Sequence, residues 1–176
     1  ALLEKRCGLL DGVVISGGEP TLQPDLAAFA ARIREMGYSV KLDTNGYRPM
    51  TLGALIDAEL VDYVAMDIKA PLDRYDEAAG VSIDADRIMQ SIDLLLRCQV
   101  DYEFRTTVVP GLLGEADIAS VARLIEGAQT YYLQQFSPHN TLDPRMERVV
   151  PYSSQRLRAM SELARGWISH VAVRGI

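Results

Sequence analysis

The stretch Gly12-Val13-Val14-Ile15-Ser16-Gly17-Gly18-Glu19-Pro20 decides how this chain folds. Gly12–Ser16 is a short run rich in apolar β-branched residues, which reads as a strand. It stops in two glycines, a carboxylate and a proline. A helical pattern follows over Pro24–Met36, where Leu26, Phe29, Ala30 and Ile33 share one face. A strand, a glycine turn and an amphipathic helix together open a β-α-β series.

Outward from that stretch the rhythm repeats. Strands are predicted at Tyr38–Leu42, Tyr63–Asp67, Tyr102–Val109, Thr130–Gln135 and His170–Arg174. Helices are predicted between them at Thr51–Ala58, Asp84–Arg97, Ala116–Gly127 and Ser153–Gly166. The first three strands are near-continuous apolar runs, the pattern of strands covered on both faces. Asp25, and Asp84 or Asp86, stand where a carboxylate favours a helix N-terminus, and Gly37 and Gly127 stand where helices stop. Such alternation specifies a mostly parallel sheet with helices outside it. Ala1–Arg6 reads as the tail of another helix, whose own preceding strand would lie upstream. The expectation is therefore one domain over residues 1–176, truncated at its N-terminus, with no linker or internal sequence repeat beyond the β-α rhythm.

Composition narrows the class. Of 176 residues, 48% are hydrophobic and 24% charged, ordinary for a globular domain with its own core. A formal charge of −6 argues against a broad nucleic-acid surface. Two cysteines, Cys7 and Cys98, exclude a disulfide scaffold and predict idle thiols in a cytoplasmic protein. No apolar run reaches the roughly eighteen residues of a membrane span.

In parallel α/β folds, ligands gather at the carboxyl ends of strands. Those positions here hold Ser16-Gly17-Gly18-Glu19-Pro20, Asp43-Thr44-Asn45-Gly46, Asp67-Ile68-Lys69, Arg105-Thr106-Thr107-Val108-Val109-Pro110-Gly111 and Gln134-Gln135-Phe136-Ser137-Pro138. The set suits a small zwitterion carrying a ribose. Gly17 and Gly18 let backbone approach a ligand. Glu19 or Asp43 can hold an ammonium, and Lys69 or Arg105 a carboxylate. Asp67 can accept from two adjacent hydroxyls. Each feature alone has a plainer reading: a tight turn for the glycines and for Asn45-Gly46, an ion pair for Asp67 and Lys69. Arg105 is harder to dismiss, because a charge in an apolar strand needs a partner.

Gly17-Gly18-Glu19-Pro20 resembles the "GGE" motif of radical S-adenosylmethionine (SAM) enzymes. The succeeding motifs, in order and across nearly the whole chain, look like those of glycyl-radical-enzyme activases. The stretch Gln134–Pro138 with Leu142-Asp143-Pro144 is most like activating proteins of anaerobic ribonucleoside-triphosphate reductase. Pyruvate formate-lyase activating enzymes share most of the same motifs. The resemblance implies an open, partial (β/α) barrel related to the TIM barrel, here without its first strand. It implies a radical SAM oxidoreductase in which a [4Fe–4S] cluster reduces SAM and the resulting radical takes a hydrogen from a glycine of the partner enzyme. A donor such as flavodoxin would supply the electron.

By the same resemblance, Gly17, Gly18 and Glu19 would hold the SAM amino group, helped by Asp43 and Thr44. Lys69 would face the methionyl carboxylate, Asp67 the ribose hydroxyls, and Arg105 the sulfonium side, with Thr107 on the same strand face. A histidine found in pyruvate formate-lyase relatives falls on Ser137, and His139 does not inherit its role. The family's Cys-x3-Cys-x2-Cys loop has no counterpart in these residues. The expectation is that this fragment is inactive alone and binds no cluster. Two other readings stand beside this one. One is a cluster-less SAM- or nucleotide-binding module. The other is a (β/α) aldolase or isomerase using Lys69 as a Schiff base. Trp167, Tyr131, Tyr132, Cys98 and His170 read as packing residues.

Overall fold

A computed structural model describes residues 2–139, 141 and 143–176, so Ala1 and the Leu142 of the closing motif lie outside the described residues. The chain forms two compact units. The first is Ala1–Asp67 with Asp84–Tyr102, and the second is Ile68–Ile83 with Glu103–Ile176.

In the first unit, β1 (Gly12–Ile15), β2 (Ser39–Thr44) and β3 (Tyr63–Asp67) pair in parallel. Register runs from Gly12 against Ser39 to Ile15 against Leu42, then from Lys41 against Tyr63 to Thr44 against Met66. The helices are α1 (Leu26–Glu35), α2 (Pro49–Asp57) and, after an excursion, α4 (Ala85–Arg97). Their apolar stripes supply Ala30, Ile33, Leu52, Leu55, Ile88, Ile92 and Leu95, all essentially inaccessible, as are Val40, Leu42, Val64 and Met66 of the strands. Side chains of this size stabilise by roughly 1.5–3 kcal/mol each when fully buried.

β1 and β2 are covered on one face, not on both as their apolar content predicts, whereas β3 is covered on both, with Val64, Ala65 and Met66 all inaccessible. Along β2, Val40, Leu42 and Thr44 are buried while Ser39, Lys41 and Asp43 are not. Val14, paired in register with Lys41, remains 56% exposed. The Lys41 ammonium stands 5.1 Å from the centre of the Tyr63 ring on the same face. The reason is that β2 runs on through Asp43 and Thr44, and over its full length it alternates strictly.

The second unit holds a short helix α3 (Tyr75–Ala79), β4 (Asp101–Val108, in this unit from Glu103), α5 (Glu115–Leu124), β5 (Thr130–Gln135), α6 (Ser154–Ala164) and β6 (His170–Arg174). β4, β5 and β6 pair in parallel, with Arg105 against Tyr132, Thr107 against Gln134, and Gln134 against Arg174. Phe104, Thr106, Val108, Tyr131, Leu133 and Val171 form the buried face. The Tyr131 hydroxyl donates to Thr106 Oγ1 at 2.8 Å, and that hydroxyl donates to the Ile68 carbonyl at 2.7 Å.

Helix ends differ from the sequence reading at one point. Asp84 caps α4 by accepting from the Asp86 N–H at 3.2 Å, and Ser153 caps α6. Asp25 precedes α1 without a side-chain capping bond. Its backbone turns at φ −99° and ψ 7° rather than in the extended conformation a cap adopts. The expected leading helix is only a 3₁₀ turn, Glu4–Arg6. Among the described residues no helix is long and apolar enough to cross a membrane.

Candidate functional site

In the first unit, the glycine turn after β1 is fastened to the end of β2 by one carboxylate. Glu19 Oε1 accepts from the Thr21 N–H at 3.1 Å, from Thr21 Oγ1 at 2.5 Å and from Thr44 Oγ1 at 2.8 Å. Glu19 Oε2 accepts from the Asn45 N–H at 2.6 Å. Hydrogen bonds to a charged acceptor contribute about 1.5–3 kcal/mol each, so the loop is held firmly. Glu19 thus spends its oxygens on the chain's own donors. Gly17 and Gly18 adopt φ +100° and +56°, and nothing lies within 4 Å of where a Cβ would stand on either. Open space in front of left-handed glycines is what a ligand-facing backbone turn requires.

The turn after β2 is built as tightly. Asn45 Oδ1 accepts from the Tyr47 N–H at 2.9 Å, and Thr44 Oγ1 from the Gly46 N–H at 3.1 Å. Ser91 on α4 donates to the Gly46 carbonyl at 2.6 Å. Gly46 is obligatory, because its φ is +74° and a Cβ there would stand 2.1 Å from Met66 Cε. Asp43 is part-buried, with Lys41 Nζ at 3.9 Å. Asp67 ends β3, half-buried.

The second unit carries Lys69 and Arg105. Lys69 is exposed, and its N–H donates to the Tyr75 hydroxyl at 3.3 Å. The Arg105 side chain is 12% exposed and lies 4.0 Å from Glu103 Oε1. Glu103 is 2% exposed, and Arg174 grips it by donating from Nη1 to Oε1 at 2.8 Å and from Nη2 to Oε2 at 2.9 Å. Arg174 lies 3.3 Å from the centre of the Tyr132 ring. Thr107 is exposed on the same strand face, and Ser137 and His139 are exposed beyond β5.

The first unit therefore brings Glu19 and Thr44 into direct contact and places Gly17 and Gly18 on the same loop. In the second unit, Lys69 follows Ile68, whose N–H donates to the Arg105 carbonyl at 2.8 Å. Sequence reasoning passes over Thr21, Ser91, Glu103 and Arg174. The signal for Glu103 is legible: an opposite charge two residues from Arg105, on the same face of the same strand.

A sequence profile of the radical SAM superfamily matches residues 2–125. The chain belongs to that superfamily. Among its radical SAM relatives is a protein of Methanocaldococcus jannaschii assigned to the glycyl-radical enzyme activating enzymes. It is 37% identical over 171 residues, which cover 94% of this chain and 71% of that one. A second protein of the same organism and assignment is 25% identical over 88% of this chain, which spans 63% of its length. A crystal structure of a domain of pyruvate-formate lyase-activating enzyme from Bacteroides vulgatus superposes with a TM-score of 0.73 over 93% of this chain and 99% of that one, at 18% identity. That likeness shows the fold class, the partial (β/α) barrel of radical SAM proteins. The chain is thus a radical SAM protein homologous to glycyl-radical enzyme activating enzymes.

The family implies SAM and a [4Fe–4S] cluster, and the two fare differently against these residues. The open glycine turn and the part-buried Asp43 suit a cationic, hydrogen-bonding ligand such as SAM. The cluster has no such fit. Among the described residues no three of His, Cys, Asp or Glu stand together as a metal site. Cys7 is exposed, and Cys98, half-buried rather than buried, donates to the Leu95 and Val100 carbonyls. Burial pushes its thiol upward, against thiolate ligation.

Proposed function

We propose that this chain is the SAM-binding part of an oxidoreductase that activates a glycyl radical enzyme, and that the partner is anaerobic ribonucleoside-triphosphate reductase. The homology to glycyl-radical enzyme activating enzymes supports the activity, and the motif Gln134–Pro138 favours this partner over pyruvate formate-lyase. The observation that carries the SAM site is the Glu19 carboxylate, which locks the open Gly17-Gly18 turn onto β2 through Thr44 and Asn45.

SAM, when bound and reduced, supplies the hydrogen-abstracting chemistry of the family. The chain's part is to bind and orient. Gly17 and Gly18 offer backbone oxygens to the SAM ammonium, and Asp43 supplies the counter-charge. Glu19 and Thr44 act on that ammonium by fixing the turn. Asp67 accepts from the ribose hydroxyls, Lys69 pairs with the methionyl carboxylate, and Arg105 lies toward the sulfonium side. We take residues 1–176 as one radical SAM core domain of a cytoplasmic protein, served by an electron donor such as flavodoxin. No step is derived through the cluster.

Isothermal titration with SAM tests the site. Wild type should bind with a dissociation constant that Asp43→Asn weakens about tenfold, equivalent to roughly 1.4 kcal/mol. Equal affinity in the two proteins, or no binding by wild type, would overturn this reading.

A further inference from the structure

On the face of the second unit away from its helices, one carboxylate connects two arginines that come from different strands. Glu103 and Arg105 both belong to β4 and, two residues apart, point to the same side of the sheet. Arg174 belongs to β6, and β5 lies between the two. Neighbouring strands are about 4.8 Å apart, so Arg174 must span roughly twice that to reach Glu103. It does so by lying on the ring of Tyr132, the β5 residue paired in register with Arg105. The ring supplies a flat platform for the planar guanidinium. Arg174 then closes a two-pronged pair on Glu103 at 2.8 and 2.9 Å.

The oxygen that Arg174 Nη1 grips, Glu103 Oε1, is also the one 4.0 Å from Arg105 Nη1. Glu103 is buried, and a buried carboxylate is costly without partners. A two-pronged grip also fixes the carboxylate plane, which a single contact does not. Its position, and therefore the field that Arg105 feels, is set from a strand two places away.

We infer that Glu103, held by Arg174 across the Tyr132 ring, is a positioning residue that orients the Arg105 guanidinium toward the bound SAM. This rests on the reading that Arg105 contacts SAM.

The test is a double-mutant cycle on SAM affinity, measured by titration calorimetry on this chain with Arg105→Ala, Glu103→Gln and the pair. Arg105→Ala and Glu103→Gln should each weaken SAM binding about tenfold, and the pair no more than Arg105→Ala alone. Additive losses, or none from Glu103→Gln, would overturn the positioning role and leave the SAM site standing. No loss from Arg105→Ala would instead remove Arg105 from the site, and the inference with it. A readout independent of SAM is the side-chain signal of Arg105 in ¹⁵N-arginine-labelled protein. It should be rigid in wild type and mobile in Glu103→Gln; equal rigidity in both counts against the inference. Should Glu103→Gln fail to fold, Arg174→Gln enters the same cycle, since it removes the grip and keeps the carboxylate. The same non-additivity with Arg105→Ala is expected, and additivity overturns the inference equally.

Discussion

Thr44 uses one hydroxyl twice, donating to Glu19 and accepting from the Gly46 N–H. Thr44→Val keeps the shape and removes both bonds, leaving a part-buried carboxylate and a buried N–H short of a partner. Such losses cost about 1–3 kcal/mol, so thermal melting should fall by several degrees, and Thr44→Ser should restore most of it. A Thr44→Val protein that melts like wild type would contradict the latch. Gly46 is constrained twice over, by its left-handed φ and by the Met66 methyl. Gly46→Ala should therefore cost more than the roughly 1 kcal/mol of an ordinary strained residue. Combined with Met66→Ala, the losses in denaturant midpoint should be less than additive, because the second change removes the clash. Residue types at this site were readable, but not their division of labour. A Gly-Gly-Glu triplet at a strand end reads alone as a tight turn, and suggests a ligand only beside the other strand-end motifs. That the Glu is turned inward onto Thr21, Thr44 and Asn45 depends on a neighbouring strand brought alongside, which no local spacing records.

At the scale of elements, Asp62 ties α1 to β2. Arg34 of the helix donates to it at 2.6 Å, and the Val40 N–H of the strand at 2.7 Å. Burial pulls its carboxyl upward, but the Arg34 hydrogen bond, the Val40 N–H and the Arg34 charge outweigh it and hold the group below the usual carboxylate range. A folded-state value that is depressed contributes stability present above the ordinary value near 4, and lost as pH falls through the depressed one. Asp62→Asn should consequently show a shallower loss of denaturant stability between about pH 5 and pH 3 than wild type. With 39% of the side chain exposed, water screens the pair and the difference should be small but measurable. Parallel slopes would remove Asp62 from acid sensitivity. The elements themselves were largely legible. Tyr63–Asp67, Thr130–Gln135 and His170–Arg174 fall where β-branched and aromatic runs put them. The five-residue α3 did not, since one helical turn of Tyr75–Ala79 is too short for periodicity to show. The two-sided burial expected of the first strands holds in β3, where Val64, Ala65 and Met66 are all buried, and fails in β2 because Lys41 and Asp43 extend it as alternating residues.

For the molecule as a whole, ligand and cluster give opposite expectations. SAM at 100 times its dissociation constant should stabilise by about 2.7 kcal/mol, roughly 5–10 °C in melting temperature for a chain of this size. Lys69→Ala should reduce that increment and Cys98→Ala should leave it intact; equal increments in wild type and a Glu19→Ala/Lys69→Ala double variant would exclude both residues from SAM binding. Reconstitution of this chain with iron and sulfide under argon should yield no stoichiometric [4Fe–4S] cluster, since the thiols of Cys7 and Cys98 provide no triplet. A stable brown protein would contradict that. The way the chain is shared between its two units has a further consequence, for synthesis on the ribosome. The first unit takes residues up to Asp67 and then needs Asp84–Tyr102. Its three strands can pair early, yet α4, which supplies Ile88, Ile92 and Leu95 to its core, emerges only later. Ile68–Ile83, emerging in between, must wait until Glu103–Ile176 has followed Asp84–Tyr102, which at about 5–20 residues per second means a delay of roughly 5–19 s. During that interval the nascent chain shows Ile68, Ala70 and Tyr75 to solvent, all of them buried in the finished protein. That segment is where a co-translational chaperone would be expected to bind.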